Sequence, residues 1–151
     1  MNQRNDPPGI VMVDDNPLAA EAMERRFRSS KDLKWLGWTA DSMAVIPMVV
    51  GQRPAVVLLD VEMPMVDSFL LLRNLRKECP ATAVVMFSGH DQAAFIERAL
   101  TEGASGYIHK DEPTATIAEL VIRVAKGECV LSPLVSKTYM RAGDRPGSSA
   151  T

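Results

Sequence analysis

The chain has 151 residues, 46% of them hydrophobic and 24% charged, a composition typical of a single globular domain. Its net charge of −2 argues against DNA binding by this chain alone, because DNA-binding domains usually carry an excess of basic residues. The sequence has no signal-peptide pattern and no apolar stretch near the roughly 18 residues that a membrane span needs. We therefore expect a cytoplasmic protein that makes no contact with a membrane.

Five short apolar segments predict β-strands, and a segment with helical spacing of apolar residues follows each one. The predicted strands cover residues 9–13, 33–40, 55–59, 83–87 and 105–109. The predicted helices begin at or beside Asn16, Asp41, Asp67, Asp91 and Thr114, and Pro47 should shorten or kink the second of them. Five strand–helix units of this length favour an α/β fold, a doubly wound parallel sheet with strand order 2-1-3-4-5.

Polar residues follow four of these strands at the point where each strand ends. Asp14 and Asp15 follow the first strand, Asp60 the third, Ser88 the fourth and Lys110 the fifth. Because the carboxyl ends of parallel strands line one edge of a sheet, we expect these side chains to share one pocket. Each residue alone is more often a helix cap or a surface group, so the prediction depends on their joint placement.

Three carboxylates and one ammonium form a chemical set suited to a divalent cation and a phosphoryl group. Carboxylate oxygens are the ligands that Mg²⁺ or Mn²⁺ prefers, and a cation would relieve the repulsion between the acids. Asp60 can attack a phosphorus atom and form an acyl phosphate. Lys110 and the metal would then compensate the charge of the phosphoryl oxygens, to which the Ser88 hydroxyl can donate a hydrogen bond.

Four segments carry a resemblance to a known family. They read VMVDD at 11–15, LLDVEMPMVD at 58–67, FSG at 87–89 and GASGYIHKD at 103–111. Together they resemble the receiver domain of two-component response regulators, over residues 9 to about 127. The resemblance implies a flavodoxin-like (βα)5 fold and a phosphoprotein that acts as a signalling switch in a phosphorelay. Such a domain is not an enzyme in the usual sense, although it takes part in its own phosphorylation and dephosphorylation.

The family resemblance also implies roles for individual residues. Asp60 would be the phosphoacceptor. Asp15, Asp60 and the backbone carbonyl of Glu62 would ligate Mg²⁺ directly, and Asp14 would act through a water molecule. Ser88 and Lys110 would bind the phosphoryl oxygens.

Three further positions concern the switch and the lifetime of the acyl phosphate. Tyr107 matches the aromatic switch of the family, whose ring would turn inward as Ser88 moves, and the face made by the fourth helix, fifth strand and fifth helix would then change. The alternative for Tyr107 is a half-buried strand aromatic with no switching role. Glu62 and His90 lie two residues beyond Asp60 and Ser88, where we expect them to tune the lifetime of the acyl phosphate in a direction that the sequence does not give.

The sequence departs from the family pattern at two loops. Ser68 stands where glycine usually follows Asp67, so a position that needs positive φ would leave serine strained. Asp111 follows Lys110 where many receivers have proline, and this Lys-Asp pair is similar to the NarL/FixJ subfamily.

The predicted organisation is a receiver domain over 1–127 and a linker or tail over 128–151 with a short helix at 133–140. The exit segment resembles one that leads to a LuxR-type helix-turn-helix domain, so we expect DNA contact only through a C-terminal domain missing from this chain. The expected partners are a sensor histidine kinase and, on phosphorylation, a second copy of the chain. The alternative is a free-standing receiver that acts by protein–protein interaction.

Two other classes of function compete with this interpretation. A binding module with a degenerate pocket would have lost a pocket residue, and none is lost here. An aspartyl-phosphate phosphatase would carry an Asp-x-Asp motif after its first strand, whereas Asp14 and Asp15 are adjacent.

Overall fold

The computed structural model describes residues 6–143, which form one parallel sheet covered by helices on both faces. The strands are β1 (Gly9–Val13), β2 (Lys34–Thr39), β3 (Val56–Asp60), β4 (Ala83–Ser88), β5 (Gly106–His109) and β6 (Val130–Leu131). Their order is β2-β1-β3-β4-β5-β6, and every neighbouring pair is parallel. The predicted order 2-1-3-4-5 is therefore confirmed, with a sixth strand added beside β5.

Six helices alternate with the strands. They are α1 (Pro17–Arg28), α2 (Ser42–Gln52), α3 (Ser68–Glu78), α4 (Ala93–Thr101), α5 (Thr114–Ala125) and α6 (Pro133–Gly143). The apolar core has two halves, one on each face of the sheet. Helices α1 and α5 cover one face, and α2, α3, α4 and α6 contribute to the other. All five residues of β3 are buried, as the continuous apolar run of a central parallel strand requires.

Two helices depart from the sequence prediction. Helix α2 runs through Pro47 to Gln52, so proline does not shorten it. Helix α4 begins at Ala93 rather than at Asp91, and its N-cap Gln92 makes no side-chain capping hydrogen bond. The Asp91 carboxylate instead accepts a hydrogen bond of 2.6 Å from the Thr138 hydroxyl, a tertiary contact that local capping rules do not reveal.

The described part of the predicted tail is built into the domain. Ser132 is fully buried, and its hydroxyl accepts a hydrogen bond of 3.0 Å from the His109 backbone N–H. Val135 is also fully buried, and helix α6 contacts α4 and β5. The helix predicted over 133–140 is present as α6, but the idea of a linker does not anticipate this packing. A domain boundary at 127 stays a prediction, and residues 144–151 lie outside the described part.

Within residues 6–143, none of the helices has the length and apolar character needed to cross a lipid bilayer.

Candidate functional site

Four strands end at one edge of the sheet and bring the predicted polar residues together. In the strand register, Asp60 lies opposite Phe87, and Ser88 lies opposite His109. Ser88 directly follows Phe87 and Lys110 directly follows His109, so both residues come at the same edge of the sheet as Asp60. The Lys110 backbone N–H donates a hydrogen bond of 2.9 Å to the Ser88 carbonyl oxygen, which fixes the start of the next loop. The side chains of Asp14, Asp15, Asp60 and Lys110 thus come together at this edge, and Ser88 is joined to Lys110 through the backbone.

The acidic cluster consists of Asp14, Asp15 and Asp60. One carboxylate oxygen from each lies within 4.8 Å of the others. Asp14 and Asp60 are buried and Asp15 is exposed, so the cluster opens to solvent on one side. Within residues 6–143, Asp60 Oδ2 is buried with no hydrogen-bond donor, and the buried Asp14 Oδ2 has only the Lys110 ammonium near it, at 3.4 Å. Because buried carboxylate oxygens without a partner are costly, this arrangement fits a hard divalent cation.

Lys110 is the cation that the structure itself supplies. Its Nζ atom lies 2.9 Å from Asp60 Oδ1 and 3.4 Å from Asp14 Oδ2. Partial burial alone would lower the pKa of Lys110, but the hydrogen bond and charge of Asp60, together with the charge of Asp14, raise it overall. Lys110 therefore stays positively charged at neutral pH.

Burial raises the pKa of Asp60 above its usual range, and the neighbouring Asp14 charge adds to this effect. The Glu62 backbone N–H, which donates to Asp60 Oδ1 at 2.9 Å, and the Lys110 ammonium oppose it. The direction of the shift means that the Lys110 ammonium does not fully offset the cost of burying the Asp60 charge. A bound cation would lower the cost of keeping Asp60 ionised.

Backbone contacts hold the acidic residues in place. The Trp38 indole N–H donates a hydrogen bond of 2.6 Å to the Asp14 carbonyl oxygen, and the Asn16 backbone N–H donates to Asp14 Oδ1 at 2.8 Å. The Ser68 hydroxyl donates to the Asp60 carbonyl oxygen at 2.8 Å.

Ser68 carries no backbone strain. Among the non-glycine residues in 6–143, only Arg53 and Met65 have positive φ. Ser68 is instead the first residue of α3, after the N-cap Asp67, whose carboxylate accepts a hydrogen bond from the Leu70 backbone N–H. This loop therefore does not require glycine at position 68. The Ser68 hydroxyl instead holds the backbone carbonyl of Asp60.

Glu62 makes a set of contacts that the sequence does not reveal. Its Oε1 atom accepts hydrogen bonds from the Ser88 hydroxyl at 2.5 Å, the Gly89 backbone N–H at 2.5 Å and the His90 backbone N–H at 3.0 Å. Partial burial would raise the pKa of Glu62, but these donors, led by Ser88 and Gly89, lower it overall. The carboxylate is thus held as an anion against the β4–α4 loop.

Tyr107 is already turned inward in this structure. Its side chain is fully buried, and its hydroxyl donates a hydrogen bond of 2.8 Å to the His90 carbonyl oxygen. Burial raises the pKa of the Tyr107 phenol. The alternative of a half-buried aromatic does not describe this residue. The ring packs in a core that includes Val135 of α6, and its switching with Ser88 stays a prediction.

Two cavities differ in their relation to this cluster. A cavity of about 250 Å³ adjoins the site and is lined by Glu62, Ser88 and His90 together with Phe69, Phe95 and Arg98. A larger cavity of about 860 Å³ lies at the opposite edge of the sheet, where the strands begin, and none of the predicted site residues lines it. We assign the chemistry to the carboxyl edge, because the charged groups and unpaired oxygens lie there.

The contacts that the sequence analysis missed have a common cause. Trp38 in β2, Ser68 at the start of α3 and the Glu62 carboxylate each make a tertiary contact with another part of the chain, and no local pattern encodes such a contact. For the Ser68 contact the sequence offered one signal, the Asp-Ser pair at 67–68. A helix that begins there brings its first turn close to the end of β3.

Comparison with known proteins gives a consistent result. A family model described as the response regulator receiver domain matches residues 10–122. The chain is 32% identical over 124 residues to the "probable transcriptional regulatory protein NarL" of Mycobacterium tuberculosis, a match that covers 82% of this chain and 57% of that protein. It is 28% identical to the transcriptional regulatory protein DegU of Brevibacillus brevis, over 87% of this chain and 56% of that one. The chain thus spans a little over half the length of these curated relatives.

Solved structures show the same fold. The signal receiver domain of the putative response regulator NarL from Mycobacterium tuberculosis superposes with a TM-score of 0.76 and 31% identity, covering 82% of this chain and 99% of that one. A LuxR-family two-component response regulator from Aurantimonas superposes with a TM-score of 0.83 at 23% identity, covering 89% of this chain and 96% of that one.

Proposed function

The chain belongs to the response regulator receiver family, and we propose that it is a phosphoacceptor switch in which Asp60 captures a phosphoryl group. The observation that carries the proposal is the placement of Asp60 between one ammonium and two further carboxylates. Lys110 Nζ lies 2.9 Å from Asp60 Oδ1, and Asp14 and Asp15 bring their oxygens within 4.8 Å of Asp60.

The chemical step is a transfer between two nucleophiles. An Asp60 carboxylate oxygen attacks the phosphorus atom of a phosphohistidine on the donor kinase. The new P–O bond forms as the P–N bond breaks, and the imidazole nitrogen leaves with the electron pair of that bond. Lys110 stays close to the phosphoryl oxygens and offsets their charge, and the Ser88 hydroxyl can donate to one of them.

Asp15, Asp60 and the backbone carbonyl of Glu62 would hold Mg²⁺ or Mn²⁺, with Asp14 acting through a water molecule. The buried Asp60 Oδ2 atom, which has no hydrogen-bond donor within residues 6–143, supports this assignment. When bound, the ion supplies charge compensation for the transferring phosphoryl oxygens. The chain's own residues position the carboxylate, since the Glu62 backbone N–H donates to Asp60 Oδ1 and the Ser68 hydroxyl donates to the Asp60 backbone carbonyl oxygen.

We propose that the partners follow from the family. A sensor histidine kinase donates the phosphoryl group in the cytoplasm, and phosphorylation promotes pairing with a second copy of the chain. The matches cover only 57% and 56% of two curated relatives that are named as transcriptional regulatory proteins, so DNA contact is assigned to an output domain outside this chain. The alternative is a free-standing receiver that acts by protein contact alone.

The output face contains more than the fourth helix, fifth strand and fifth helix. Helix α6 contacts α4 and β5. The Leu134 backbone N–H donates a hydrogen bond of 2.7 Å to the Glu112 carboxylate. Because the β4–α4 loop bonds to Tyr107 through the His90 carbonyl and to Thr138 of α6 through the Asp91 carboxylate, the signal is proposed to pass through this loop to β5 and α6.

Labelling by a small phosphodonor tests the function. Incubation with acetyl phosphate and Mg²⁺ should add the mass of one phosphoryl group to the intact protein, and chelation of the metal should suppress it. Asp60→Asn should abolish labelling, whereas Asp32→Asn, at an exposed position away from the site, should not. Labelling that persists in Asp60→Asn would remove Asp60 as the acceptor.

A further inference from the structure

The Glu62 carboxylate lies in a group of three donors at the start of the β4–α4 loop. Its Oε1 atom accepts hydrogen bonds from the Ser88 hydroxyl and from two successive backbone N–H groups, those of Gly89 and His90. Three donors on a single carboxylate oxygen favour its ionised form, and they lower the pKa of Glu62. The loop therefore presents an anion-binding surface, and a side chain of the same protein fills it.

The proposed phosphoryl group needs a donor that Glu62 already uses. A serine hydroxyl has one proton and can donate one hydrogen bond at a time. Ser88 donates that proton to Glu62 in the unphosphorylated domain. It cannot donate to a phosphoryl oxygen on Asp60 until the Glu62 carboxylate leaves.

Glu62 is also held close to the phosphoacceptor. Its own backbone N–H donates a hydrogen bond of 2.9 Å to Asp60 Oδ1. The Glu62 carboxylate therefore cannot move far from Asp60 unless the segment that follows β3 also moves. A phosphoryl group on Asp60 would bring additional negative charge next to this carboxylate, and like charges at short range repel each other.

We infer that Glu62 is an anion latch: its carboxylate holds Ser88, Gly89 and His90 in the unphosphorylated domain and competes with the incoming phosphoryl group for them. This inference rests on the proposed function of Asp60 and assigns Glu62 as a positioning residue for that reaction. Removal of the latch therefore speeds phosphoryl capture and strengthens binding of a phosphoryl mimic.

Release of the latch has a defined structural consequence. The same loop bonds to Tyr107 through the His90 carbonyl and to Thr138 of α6 through the Asp91 carboxylate. Displacement of Glu62 frees the Ser88 end of this loop, so the change reaches β5 and α6 through two hydrogen bonds.

The test compares labelling rates of wild type, Glu62→Ala and Glu62→Gln with acetyl phosphate and Mg²⁺ at a donor concentration below saturation. We expect Glu62→Ala to be labelled about fivefold faster, since it removes the competing acceptor. Glu62→Gln keeps a neutral oxygen and should fall between the two. The affinity for beryllofluoride, measured by titration, should increase in the same order, from wild type through Glu62→Gln to Glu62→Ala.

Asp111→Ala is the matched control, because it removes a negative charge at the same edge of the sheet. Its carboxylate is 82% exposed and makes no contact with the β4–α4 loop among the hydrogen bonds and ion pairs of residues 6–143. A screened, exposed charge should change the labelling rate by less than about twofold. An equal increase of the labelling rate in Asp111→Ala would mean that a general charge effect, and not the latch, explains the acceleration.

The outcomes separate the latch from the proposed function. Labelling of wild type with no acceleration in Glu62→Ala overturns the latch and leaves Asp60 as the acceptor. Labelling in neither protein overturns both, and labelling in Glu62→Ala alone supports both. If circular dichroism shows that Glu62→Ala does not fold, Glu62→Gln decides: a rate equal to or below wild type overturns the latch.

Discussion

The indole nitrogen of Trp38 donates a hydrogen bond of 2.6 Å to the backbone carbonyl oxygen of Asp14, so a fluorescent side chain is attached to the acidic cluster. The chain contains one other tryptophan, Trp35, whose ring stacks on Phe27 at 6.2 Å between centroids. The two residues lie on the same strand but report on different parts of the fold.

Addition of Mg²⁺ should therefore change the tryptophan fluorescence through Trp38. A cation held by the acidic cluster would change the charge beside Asp14 and so the environment of the indole that is bonded to the same residue. A Trp35→Phe protein should keep the Mg²⁺-dependent change, and a Trp38→Phe protein should lose it. A response that survives in Trp38→Phe and disappears in Trp35→Phe would place the cation elsewhere.

Asp60→Asn should raise the free energy of unfolding at pH 7 in the absence of divalent cations. Because burial raises the folded-state pKa of Asp60, ionising it costs stability above the usual carboxyl pKa, and that cost grows as the pH rises through the raised value. Asparagine keeps an oxygen for the Glu62 backbone N–H and removes the charge. We expect a gain on the order of 1 kcal/mol, or about 2–4 °C in Tm.

Urea unfolding measures this gain as a function of pH and Mg²⁺. The advantage of Asp60→Asn should shrink near pH 4, where the wild-type carboxyl is protonated in the folded state, and should shrink at pH 7 when Mg²⁺ is added. An advantage that is independent of both would mean that the buried charge is not its source.

Ser68→Ala should destabilise the fold by about 1 kcal/mol, because it leaves the buried Asp60 carbonyl without the hydroxyl donor at 2.8 Å. Ser42→Ala is a close control: Ser42 also opens a helix directly after an aspartate N-cap, but within residues 6–143 its hydroxyl makes no hydrogen bond. Chemical unfolding should show a larger loss for Ser68→Ala. Equal losses would indicate a helix-propensity effect rather than the tertiary hydrogen bond.

Thr138→Val should loosen the attachment of α6 to the β4–α4 loop. Valine fills a similar volume but cannot donate the 2.6 Å hydrogen bond to Asp91 Oδ2. Hydrogen–deuterium exchange should become faster over 133–143, with β1 and β3 unchanged as internal references. Lys137→Ala, one residue away on an exposed position, should leave the exchange of α6 close to wild type. Unchanged exchange in Thr138→Val would show that other contacts hold the helix.

The sheet could be predicted from the sequence because its central strands have simple patterns. Strand β3 is fully buried and consists of an apolar run, Val56–Leu59, followed by Asp60, and its neighbour β4 carries a similar run. Once a parallel sheet is assumed, the carboxyl-edge rule places Asp14, Asp60, Ser88 and Lys110 together without knowledge of any loop. The clustering of these side chains therefore followed from strand ends alone.

The parts that escaped prediction depend on contacts between loops and on short elements. Strand β6 has only two residues, too few for a periodic signal, and it exists because Val130 pairs with Gly106. The start of α4 was misplaced because Asp91 bonds to Thr138 instead of capping the helix. The partner of Ser88 could not be inferred, since nothing in the spacing of Glu62 indicates which way its side chain points.

Chemical mapping of the phosphorylated residue tests the central claim most directly. Protein labelled with acetyl phosphate and Mg²⁺ is reduced with borohydride, which converts an aspartyl phosphate into homoserine, and is then digested and sequenced by mass spectrometry. The account predicts homoserine at position 60, with Asp14 and Asp15 unmodified in the same sample. Homoserine at position 14 or 15, or no modified aspartate at all, would contradict it.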